Sequence, residues 1–307
     1  MLAASLKLIG MLVAAAAPGG DRWTIHSDRG HDRVARQVAA LLPRAQRELE
    51  QRLGLELHGH GSVVLCGSTA SFRRETPGVD HRHTLGVAYP ARSTILLNCE
   101  AIEAAPYESF AVTLRHELCH VLVGEIVRGG HRRVPLWFDE GVAVYTSGKV
   151  PLYNPQAFEL AVRARALSPL AELRERFPGD PTRRGVAYEQ SESFVRFVVR
   201  RHGEQALRTI LRAAARGVDF EPAFQQATGG SVVDLEAQWL ASLTPRWPWL
   251  GWAANVLFHP YSAFGVFGIM TLLALASFWV YWRRRRRKYE QWEREEGSHA
   301  GKECPWA

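Results

Sequence analysis

The sequence predicts an α+β domain, because short apolar strands crowd its first hundred residues and helical periodicity takes over after residue 106. Hydrophobic residues make up 47% of the 307 and charged residues 22%, which excludes a disordered chain and supplies a sizeable core. A further observation sets one end apart. Residues 263–282 read AFGVFGIMTLLALASFWVYW, twenty positions without a charge, and six consecutive cations follow at 283–288.

In chain order, residues 1–20 combine an early charge (Lys7), an apolar run over 8–17 and then Pro18-Gly19-Gly20, the pattern of a secretory signal. Residues 23–26 predict a short strand. Apolar positions at Val34, Val38, Leu41, Leu42, Ala45, Leu49 and Leu53 predict an amphipathic helix over 31–53, with a kink or break at Pro43. Strands are expected at 62–66, 85–89 and 94–99, the last two joined by a turn holding Pro90 and Ser93, with a short polar helix near 71–74. Helices are expected at 107–123, 135–146, 155–164, 169–176, 188–202, 204–215 and 231–243, divided by Gly- or Pro-bearing breaks. The result is a small N-terminal mixed sheet and a mainly helical C-terminal half.

The stretch at 263–282 is long enough for a hydrocarbon slab of about 30 Å, and tryptophans stand on both sides of it. The basic cluster makes the following tail cytoplasmic by the positive-inside rule. The expected organisation is a signal at 1–20, an extracytoplasmic domain at 21–245, and a juxtamembrane linker at 246–262. One transmembrane helix at 263–282 and a basic cytoplasmic tail at 283–307 complete a single-pass cell-membrane protein. The net charge of +7 fits this layout: residues 283–307 carry eight Lys/Arg against five Glu, so +3 sits in the tail and +4 remains for the rest. No nucleic-acid face is required, and none is expected.

The chemistry concentrates at His116-Glu117-Leu118-Cys119-His120, an H-E-x-x-H pattern within an apolar, helical stretch. Histidines four apart on a helix share a face and can grip one ion, while the glutamate between them reaches a water at that ion without being a ligand. Nineteen residues intervene before Glu140, in the segment Pro135-Leu136-Trp137-Phe138-Asp139-Glu140-Gly141-Val142-Ala143, where Gly141 and Ala143 permit close helix packing. Two imidazoles, one carboxylate and one open position make a catalytic zinc site, with one Zn2+ per chain.

The paired motifs at 116–120 and 137–143 resemble those of the gluzincin metallopeptidases, particularly the bacterial peptidase-MA-like domains, over residues 60–205. That resemblance implies a zincin-like fold, His116, His120 and Glu140 as zinc ligands, and Glu117 as general base. It also implies Tyr188, in the run Tyr188-Glu189-Gln190-Ser191, as the donor that stabilises the oxyanion. The strand at 85–89 takes the place of the edge strand that binds peptide substrates. The aminopeptidase branch holds the substrate amine there with a glutamate in a G-x-M-E-N motif. No acidic residue occurs from 81 to 99 here, so a peptide or protein substrate and endopeptidase action are expected. Asp139 departs from the asparagine of that branch, which leaves its role open. The competing reading is a catalytically silent zincin-fold module for binding or assembly in the cell envelope, although such a role has no need of Glu117. An intramembrane protease is disfavoured by Arg115 and the polar flanks of the motif helix.

Cys66 and Cys99 end two predicted strands, and two readings stand side by side: a disulfide between them, or two separate buried thiols. Cys119 reads as a packing residue.

Overall fold

The computed structural model describes residues 22–28, 30–79, 84–104, 109–129, 134–148, 155–243 and 263–299; the expected signal and linker lie outside them. The architecture is mixed α+β, mostly helical, with one four-stranded sheet among the described residues. The chain divides into a unit up to Leu243 and a second unit from Thr244.

The sheet order is β1 (Trp23–Ser27), β2 (Gly61–Cys66), β4 (Thr94–Asn98) and β3 (Gly86–Tyr89). The first three run parallel, and β3 pairs antiparallel with β4 at the edge, Gly86 opposite Leu97 and Tyr89 opposite Thr94. A three-residue 3-10 turn, Pro90–Arg92, and Ser93 in the left-handed region (φ 46°) close the β3–β4 connection where the turn residues predict it. The edge position expected for this strand is therefore the observed one.

Helix α1 (Asp32–Leu53) runs through Pro43 as one helix, so of the kink or break expected there the break does not occur. Its buried stripe of Val34, Val38, Leu42, Ala45, Leu49 and Leu53 packs into the main core, and tertiary burial outweighs the one missing hydrogen bond. Helix α2 (Thr69–Glu75) begins in a capping box between Ser68 and Ser71, and α3 (Cys99–Ala104) follows β4 directly.

Cys66, Cys99 and Cys119 are all buried free thiols, so the Cys66–Cys99 disulfide does not form. The cause is the alternation of β4. Asn98 lies opposite Cys66, so Cys99, one residue on, belongs to the main core, whereas Cys66 packs with Phe72 and Leu96. Burial pushes both thiols up to about 12.

The helical half comprises α4 (Phe110–Gly129), α5 (Leu136–Ser147), α6 (Pro155–Arg163), α7 (Pro181–His202), α8 (Glu204–Ala215), α9 (Phe220–Thr228) and α10 (Val232–Leu243). Several outcomes differ from expectation: α9 (Phe220–Thr228) forms where no helix was expected, and α4 runs to Gly129, past the expected end at 123. No helix forms over 169–176: this segment turns so that the carbonyls of Leu173 and Arg174 accept from the first amides of α5, Trp137 and Leu136. Helix α7 starts seven residues early, because Asp180 accepts from the Arg183 amide and Pro181 occupies the first turn.

Behind the sheet-facing helices lies an aromatic cluster. Trp137 stands edge-on to Phe194 and Phe220, and Phe194 to Trp239, so the start of α5 is wedged against α7 and α9, with α10 backing α7. At Gly141 the helices α5 and α7 touch backbone to backbone. A Cβ there would lie 2.6 Å from the Ser191 carbonyl oxygen and 2.8 Å from Val195 Cγ2. The close packing expected of Gly141 is realised.

In the second unit, α11 (Ala263–His299) continues as one helix past the apolar stretch into the arginines. Among the described residues, no helix is long and apolar enough to cross a membrane. Side chains of α11 are described from Phe267, and the uncharged run ends at Trp282, where Arg283–Arg287 begin.

Candidate metal and catalytic site

Helix α4 crosses beneath the sheet edge with Leu114, Leu118, Cys119, Val121 and Leu122 buried. Its remaining face carries His116 and His120 toward α5. Glu140 comes from the first turns of α5, whose position is set by the aromatic wedge and by the Gly141 contact. The three predicted ligand residues thus meet, although nineteen positions lie between His120 and Glu140.

Nε2 of His116 and Nε2 of His120 lie 3.2 Å apart, and Glu140 Oε2 is 3.5 Å from the first and 3.4 Å from the second. Four ligands held 2.0–2.1 Å from a zinc ion in a tetrahedron are separated by edges of roughly 3.3–3.4 Å. The three observed edges therefore match one face of such a tetrahedron, with the opposite corner open. Glu140 Oε2 is also buried without a hydrogen-bond partner, as an oxygen aimed at a cation is. Among the described residues this is the one cluster of three or more His, Cys, Asp or Glu side chains with metal-binding geometry.

The electrostatics favour positive charge at this point. Burial penalises an ionised Glu140, but His120 and His116 outweigh it and hold the carboxyl far below the ordinary carboxylate range. Burial penalises a charged His120 as well, yet Asp139 and Glu140 raise it well above the usual imidazole value. A site that keeps its carboxylate ionised and attracts a cation fits a divalent metal.

Glu117 is buried on the same helix and turned toward β3. Burial lifts its pKa, while the two imidazoles and the Ala88 backbone amide, which donates to it, pull the other way. The carboxyl fits against β3 because position 86 is glycine: a Cβ there would lie 2.7 Å from Glu117 Cγ and 2.9 Å from Oε1. Tyr188 enters from α7 with its hydroxyl hydrogen-bonded to Glu140. Burial and the charges of Glu140 and Glu117 raise its pKa well above the ordinary phenol range, so it stays a donor. Phe177 stands edge-on to its ring at 5.0 Å. All five predicted site residues converge.

Cys119 is fully buried, bonds toward Thr146, and has its thiol pushed up to about 12, which makes it a packing residue. Two further contributors appear, one whose role the sequence left open and one it did not foretell. Asp139 Oδ2 lies 3.1 Å from His120 Nδ1, and its signal was a second carboxylate directly preceding the ligand. Gly86 seats Glu117, and its signal was a glycine inside a strand, where a close approach is expected.

Comparison with known proteins places these motifs in context. The family model described as Peptidase MA superfamily matches residues 76–245. Among solved structures, yeast LTA4 hydrolase in complex with bestatin superposes with a TM-score of 0.45 at 14% identity, covering 78% of this chain and 38% of that one. Native yeast LTA4 hydrolase gives 0.41 at 13% identity, over 78% and 37%. Native leukotriene A4 hydrolase from Saccharomyces cerevisiae gives 0.41 at 13%, over 78% and 38%. The chain thus spans less than two fifths of those proteins' length. No curated protein matches the sequence.

Proposed function

The chain belongs to the Peptidase MA superfamily, and from that premise we propose that it is a zinc-dependent endopeptidase acting on peptide or protein substrates. The observation that carries the proposal is the ligand triangle of His116, His120 and Glu140, whose edges fit a zinc ion with one open corner. Zinc held there supplies a Lewis acid that brings the pKa of a water in the open position toward neutrality.

The protein's own groups do the rest. Glu117 takes the proton of the attacking water and passes it to the leaving amine. Its raised pKa suits a group that must both accept and release a proton. Tyr188, kept protonated beside Glu140, donates to the oxygen that becomes negative as the carbonyl is attacked. The outer edge of β3 offers its backbone to an extended peptide, a mode in which main-chain hydrogen bonds align the scissile bond. No carboxylate on β3 waits for a free amine, which supports internal over N-terminal cleavage. The full-length protein should bind one zinc per chain and degrade denatured casein, lose that activity to a chelator, and regain it with zinc. A fully zinc-loaded chain that leaves casein intact would favour the silent binding module instead.

Anchoring at the cell membrane is part of the proposal, with the catalytic domain outside and the C-terminal tail inside. Its support is the exposed apolar belt of α11, including Phe267, Met270, Leu272, Leu273 and Phe278, followed at once by Arg283–Arg287. Arg283 lies over the Trp279 ring at 4.0 Å and Arg286 over Trp282 at 5.2 Å, an arrangement suited to the headgroup level. The full chain should stay in the membrane fraction through carbonate washing, and release by that wash would sink the anchor.

A further inference from the structure

Building on the zinc-peptidase reading, we infer that Asp139 is a positioning residue that makes His120 the better-fixed of the two imidazole ligands and so governs metal affinity. Consecutive carboxylates on α5 take hold of both nitrogens of one ring. Asp139 Oδ2 lies 3.1 Å from His120 Nδ1, and Glu140 Oε2 lies 3.4 Å from Nε2. A neutral imidazole carries one proton. With Nδ1–H donating to Asp139, the lone pair is left on Nε2, the atom that faces Glu140 and His116.

His116 has no such help: its Nδ1 is buried and makes no hydrogen bond among the described residues, so polar partners meet its ring only at Nε2. The two histidines of the motif are thus chemically unequal, although the motif spells them alike. Asp139 precedes Gly141 by two positions on a helix held in backbone contact with α7, which fixes the backbone from which its carboxylate reaches His120. Its other oxygen, Oδ1, is buried and bonds to nothing else among the described residues, so the carboxylate serves His120 alone.

The test compares the parent full-length protein with Asp139→Ala and Asp139→Asn by zinc competition against a chelator of known affinity. Removing an outer partner of a ligating histidine costs about 10–100-fold in metal affinity, and that loss is expected for Asp139→Ala. Asp139→Asn should recover most of it, since the amide oxygen can accept the same Nδ1–H. A second readout is the ring-nitrogen NMR of the zinc-loaded protein. A protected His120 Nδ1–H signal is expected in the parent and in Asp139→Asn, and absent in Asp139→Ala. Equal zinc affinity in the parent and Asp139→Ala, or an Asp139→Asn protein that binds zinc like the parent without that signal, overturns the inference while leaving the zinc site intact. A parent chain that takes up no zinc overturns the functional reading itself. If Asp139→Ala fails to fold, the Asn variant and its NMR signature decide the matter.

Discussion

Glu117→Gln should abolish hydrolysis, with a loss of about 10²–10⁴-fold or more, while zinc content stays at the parent level. The separation of effects follows from the geometry. Glu117 is absent from the ligand triangle, yet it lies on the same helical turn, buried against β3 and within the electrostatic reach of both imidazoles. Glutamine keeps the volume that fits beside Gly86 and can still accept the Ala88 amide through its carbonyl oxygen. It cannot carry a proton from water to amine. Turnover of casein and zinc stoichiometry, measured on the same preparation, check this. Undiminished turnover in the glutamine variant would remove Glu117 from the reaction.

Glu140→Ala should strip the metal, with an affinity loss beyond the roughly 10–100-fold that an outer-shell partner costs. Alanine leaves two imidazoles to hold the ion and opens two corners of the tetrahedron instead of one. It also takes away the acceptor that holds the Tyr188 hydroxyl and the charge that keeps Nε2 of His120 directed inward. Zinc competition reads the first effect directly. Parent-like affinity in Glu140→Ala would show that the carboxylate is not a ligand.

Much of this molecule was legible in its sequence because local chemistry and long-range packing agree there. The three- and four-residue spacing of α1, the alternating strands and the glycine at 141 each point to the environment that the fold supplies. The site was legible for a similar reason: side chains with metal chemistry occur at spacings that one helix face and one helix pair enforce. What escaped was set by partners distant in sequence. Residues 169–176 look helical in isolation, but their carbonyls are claimed by the α5 amides, so a turn forms. The pairing of Cys66 and Cys99 hinges on which side of β4 each thiol falls, and a shift of one position along a strand reverses that. Asp139 was visible as a departure from a pattern, yet its task emerges only when His120 from another helix arrives beside it. Helix α7 began early on a signal that was present, an aspartate followed by proline, but the periodic apolar residues start later.

The seat that β3 provides for Glu117 has a consequence for how such a protein loses its activity. The ion's holders come from two helices locked to each other, whereas the proton carrier leans on a strand that belongs to a different part of the fold. A single methyl group grafted at position 86 would evict the proton carrier and leave every holder untouched. Loading and turnover are thus separable inheritances, and a hydrolase of this design stands one codon away from an inert zinc-bearing scaffold.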